Sequence, residues 1–89
     1  MDAFGVFEHK FIQQQCMYLK YKLIQVSFEL KDIEVVFLSS IKDGERYYFI
    51  NQKQQILFYF QANEFKGEEH DTVYVEKIRK KLDEIGIKY

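Results

Sequence analysis

With 89 residues the chain has room for one hydrophobic core, and its 47% apolar and 18% aromatic content lies far above that of a disordered segment. A formal net charge of −1 offers no global field for nucleic acid or an anionic membrane, and no apolar run reaches the roughly eighteen residues that a membrane span needs. The single cysteine, Cys16, cannot form an internal disulfide and Met1-Asp2-Ala3 lacks the basic leader of a signal peptide, so the expected setting is the reducing cytoplasm.

Read in chain order, the pattern predicts one α+β domain: a four-stranded antiparallel β-meander with an N-terminal helical segment and a C-terminal amphipathic helix. Phe4, Phe7, Phe11, Gln15 and Tyr18 or Leu19 recur at helical spacing, which suits a helix over about residues 4–17. Gly5 and the aromatics also fit an irregular or extended start. From Ile24 the period changes to two. Ile24, Val26, Phe28 and Leu30 alternate with Gln25, Ser27 and Glu29, the pattern of a half-buried first strand. Lys31-Asp32 then turns into a second strand over residues 33–38.

Asp43-Gly44 supplies the positive φ that a tight hairpin turn requires, and a third strand follows over residues 46–50. The polar stretch 51–54 turns into a fourth strand over 55–60, and residues 62–70 read as a surface loop. The last helix begins near Asp71-Thr72. Its stripe is Val75, Ile78, Leu82 and Ile85, with Gly86 placed to cap the C-terminus.

Three of the four strands carry large apolar residues at both parities, so both faces of the sheet require cover. Two arrangements provide it. Either one helix lies on each face, or both lie on one face and a second molecule covers the other. The fourth strand, at the edge of a simple meander, holds no charge, Pro or Gly between Ile56 and Phe60. The leading expectation is therefore a small protein-binding or inhibitory protein, acting through a sheet edge or an apolar sheet face, with another protein or a second copy as partner. Tyr47, Tyr48, Phe58 and Tyr59 are the candidate contacts, because aromatics supply much of the energy of interfaces. The AT-rich residue usage, rich in Lys, Ile, Phe and Tyr with no Pro or Trp, suits a phage or mobile element.

The alternative is a nucleic-acid-binding module using Lys77, Lys80 and Lys81, although Glu76, Asp83 and Glu84 dilute that charge. A small enzyme or ligand-binding domain comes third. Cys16 and His9 lie two helical turns apart, too far to pair as nucleophile and base. Consecutive Glu68, Glu69, His70 and Asp71 point in divergent directions, which suits a solvated loop better than a metal site. No metal, cofactor or catalytic residue is assigned. Residues 44–51 resemble the middle strand of a WW domain, but the spacing to Asn51 is one residue too long and the chain has no Trp, which excludes that family.

Overall fold

The opening helix, α1 (Ala3–Val26), runs well past its expected end. The computed structural model describes residues 3–65 and 71–89, with side chains over 10–65 and 72–89. The expected first strand is absent: its residues complete α1 and then form a single 3-10 turn, Phe28–Leu30. The sequence pattern is ambiguous for a physical reason. Leu19, Leu23, Val26 and Leu30 are spaced four, three and four, so residues that alternate as a strand also continue a helical stripe. Packing against the rest of the chain selects the helix. Leu19, Leu23 and Leu30 are buried, whereas Phe28, inward in the strand reading, is 68% exposed. Ser27 then adopts an extended conformation, and its Oγ accepts from the Glu29 N–H at 3.2 Å, capping the turn.

Among the described residues the sheet thus has three strands, not four. β1 (Glu34–Ser40), β2 (Gly44–Ile50) and β3 (Ile56–Gln61) form an antiparallel sheet in the order β1-β2-β3. Lys20 ties α1 to its start, with Nζ donating to the carbonyls of Lys31, at 2.7 Å, and of Ile33, and lying 3.2 Å from Glu34 Oε2. The first hairpin pairs Ser40 with Gly44, and Gly44 takes φ +78° as its turn demands. The second is organised by Asn51, whose Oδ1 accepts from the N–H groups of Lys53 and Gln55 at 2.9 Å. Gln54 takes the left-handed position in that loop, at φ 65°.

After β3 a second 3-10 turn, Ala62–Phe65, precedes α2 (Asp71–Glu84). Gly86 ends α2 as expected: at φ +80° it donates to the Asp83 carbonyl at 3.2 Å, while the Ile87 N–H reaches Leu82 at 3.0 Å. Of the expected stripe, Ile78 and Leu82 are fully buried, Val75 half-buried and Ile85 exposed, and Tyr74 takes a core place instead.

Leu19 and Leu23 from α1 join Tyr74, Ile78 and Leu82 from α2 in one cluster with Tyr47, Phe49, Phe58 and Phe60. Those four sheet residues share one face, since they alternate along β2 and β3 and pair as Tyr47↔Phe60 and Phe49↔Phe58. Both helices therefore pack on the same side. Phe49 and Phe58 stack at 4.4 Å, and Phe65 stacks on Tyr74 at 4.9 Å, so aromatic contacts run through the core from sheet to helix. Among the described residues no helix is long and apolar enough to cross a membrane.

Candidate interaction site on the open sheet face

With both helices on one side, the pairing register lays out the opposite face as three rows across the sheet. They are Glu34, Ile50 and Ile56; Val36, Tyr48 and Tyr59; and Leu38, Arg46 and Gln61. A register shift beside Ile50 sets the first row: Leu57 packs against the helix-side core and Ile56 faces outward, 58% exposed. Leu38 is 58% exposed and Tyr59 37%, and Ile41 protrudes from the adjoining hairpin. Ile50 is buried within this face, whereas Leu38, Ile56 and Tyr59 are exposed on a surface that no described helix covers.

Arg46 organises this face. Its guanidinium carbon lies 4.1 Å from the centre of the Tyr59 ring, and Nη1 donates to Tyr48 Oη at 3.3 Å. Asp43 Oδ2 lies 3.6 Å from the same nitrogen. The hydrogen bond with Tyr48, aided by Asp43, raises the already high pKa of the guanidinium. With the Gln61 amide turned so that its oxygen meets a donor, it accepts from Arg46 Nε at 3.1 Å and donates to the Glu45 carbonyl at 3.3 Å. The Tyr48 and Tyr59 rings lie 5.6 Å apart as a directly opposed cross-strand pair. The result is an aromatic surface held in place by a cation, with little rotamer freedom left to lose on binding.

The structure divides the four candidate contacts. Tyr48 and Tyr59 stand on the open face, while Tyr47 and Phe58 face the helices within the core. Burial pushes the Tyr47 hydroxyl up to about 12. The three basic candidates also separate. Lys77 Nζ donates to the Glu64 carbonyl at 3.1 Å, pairs with Glu64 Oε1 at 3.8 Å and lies over the Phe65 ring. Lys80 is exposed on the outer side of α2, and Lys81 alone reaches the Tyr59 and Phe60 rings, at 5.9 and 5.7 Å. Arg46 is not among the residues that the sequence pattern singles out. Its signal lay in the alternation that places it on the same face as Tyr48, but its approach to Tyr59 depends on the β2–β3 register.

Cys16 sits half-buried in a groove between α1 and β1, lined also by Met17, Tyr21, Ile24 and Val35, and burial raises its thiol pKa. A thiol so disposed is protonated near neutral pH and a poor nucleophile. The acidic run Glu68, Glu69 and His70 lies outside the described residues, as does the side chain of Asp71. Among the described residues no three His, Cys, Asp or Glu side chains gather as a metal site. Comparison with family models, with curated proteins and with solved structures finds no match to this chain.

Proposed function

We propose that this chain is a protein-binding module that engages its partner through the sheet face opposite its helices, with Tyr48, Tyr59, Val36 and Leu38 as contacts and Arg46 holding the aromatic pair. One observation carries the reading: α1 and α2 share a single core with Tyr47, Phe49, Phe58 and Phe60, leaving the other apolar face without a helix among the described residues. Covering such a face removes apolar area from water at roughly 25 cal/mol per Å². The role is one of binding rather than catalysis, and the partner is another protein or a second copy of this chain.

A photo-crosslinking amino acid placed at Leu38, on the open face, and separately at Glu76, on the outer side of α2, tests this in the producing cell. The expected result is a discrete protein adduct from position 38, reduced by Y48A with Y59A, and none from position 76. A crosslink between two copies, with doubled mass in light scattering, identifies the chain as its own partner. Equal adducts from both positions, or none from position 38, overturn the proposal.

A further inference from the structure

Tyr59 and Phe60 are consecutive in β3, so their rings stand on opposite faces of the sheet. Lys81 Nζ nevertheless lies within 6 Å of both ring centres, at 5.9 and 5.7 Å. A single ammonium can reach both only by standing at the rim of the strand, and β2 occupies the other rim. Lys81 therefore sits at the outer edge of β3, with which no described strand pairs. It takes part in none of the ion pairs among the described residues, which join Lys20 to Glu34, Arg46 to Asp43 and Lys77 to Glu64. The strand itself carries no charge from Ile56 to Gln61, and its Gln61 N–H is taken by Glu64 Oε2 at 3.0 Å. Among the described residues no carboxylate pairs with Lys81 where it stands beside Tyr59 and Phe60.

We propose that the outer edge of β3 receives an extended acidic segment of another protein, with Lys81 as the residue that determines specificity. This deepens the protein-binding reading above and rests on it. An incoming strand adds main-chain hydrogen bonds to the outer edge. A neutral or basic strand would strip water from the Lys81 ammonium and leave it unpaired, whereas a carboxylate on the strand forms a charge-assisted hydrogen bond with it. A second β3 strand is the poorer occupant: Ile56–Gln61 carries no carboxylate of its own, and Glu64 is already engaged by Lys77 and the Gln61 N–H. Nucleic acid is the poorer fit, because Lys77 is paired with Glu64 and Glu76, Asp83 and Glu84 interleave with the remaining cations of α2.

The full chain, labelled with ¹⁵N, is titrated with a capped peptide of about ten residues, a common strand length or longer, alternating glutamate with valine and threonine. Parallel titrations use its glutamine and lysine counterparts and an oligothymidylate of equal length. The glutamate peptide is expected to shift the amides of residues 56–60 and 81 and to bind at least about tenfold more tightly than the glutamine peptide. K81Q removes that ratio, whereas K80Q, on the exposed side of α2, keeps it; unchanged spectral dispersion confirms that both variants are folded. Equal affinity of the glutamate and glutamine peptides, absence of shifts in β3, or tighter binding of oligothymidylate at β3 overturns the proposal. A position-38 crosslink that persists alongside equal peptide affinities defeats the acidic segment alone. Its loss while the glutamate preference survives defeats the open-face reading.

Discussion

Arg46 lies over Tyr59, its guanidinium carbon 4.1 Å from the ring centre, and so ties β2 to β3 across the open face. Arg46 pairs directly with Gln61, which makes Tyr59 its diagonal neighbour two residues back along β3. The contact joins the sheet's stability to the shape of the surface it presents. In a double-mutant cycle, R46A and Y59A should show a coupling of about 0.5–1 kcal/mol in urea denaturation, the range for a partly exposed cation–π pair. R46K should recover only part of it, because an ammonium cannot stack as a planar guanidinium does. Coupling near zero would show that the stacking contributes nothing to stability.

The Tyr47 hydroxyl ionises at about 12 in the folded chain, above the ordinary value of 10, because burial disfavours the phenolate. Between those values the unfolded chain gives up this proton and the folded chain keeps it. The stabilising contribution is complete below pH 10 and declines as the pH rises toward 12. Y47F should therefore lose less stability than the wild type over that interval, as read by thermal melts at stepped pH. Parallel curves for the two proteins would refute the assignment.

Ile78 and Leu19 are fully buried in the cluster where α1 and α2 meet the sheet. I78A and L19A should each cost about 2–5 kcal/mol, from lost transfer energy plus the cavity left behind. Should either fail to fold, I78V is expected to cost about 0.5–1.5 kcal/mol and keeps the measurement possible. Leu38 has the same apolar character on the open face, yet L38S should change stability by no more than about 0.5 kcal/mol. A large loss at Leu38 would mean that the face is covered within the chain itself.

Two left-handed residues should respond in opposite directions. Gly44 has φ +78°, and a Cβ added there meets nothing within 4 Å, so G44A should cost about 1 kcal/mol through backbone conformation alone. Gln54 carries a side chain at φ 65°, and Q54G should stabilise the fold by up to about 1 kcal/mol, less the added entropy of the unfolded chain. Chemical denaturation of the two variants checks both signs, and a destabilising Q54G would contradict the prediction.

Much of the local structure was legible because it depends on nearby residues. Asp43-Gly44 marks the first hairpin, the polar 51–54 stretch the second, and Gly86 the end of α2, each through a turn or cap whose demands are met within a few positions. The stretch from Ile24 to Leu30 was not legible, because Val26 and Leu30 fit both periods and only the burial of Leu19 and Leu23 against α2 and the sheet separates them. The candidate site was half legible for a related reason. Alternation places Tyr47 and Tyr48 on opposite faces, but nothing local states which face the helices will take.

By itself, the sequence determined that this chain folds as a small α+β unit with antiparallel hairpins and a capped C-terminal helix, since capping, turn chemistry and hydrophobic period act over a few residues. Only the tertiary structure decided that the described sheet has three strands, that α1 and α2 share one face, and that Arg46 and Lys81 converge on Tyr59. Those outcomes depend on pairing register and on which apolar surfaces meet, and both are set by contacts between residues far apart in the chain.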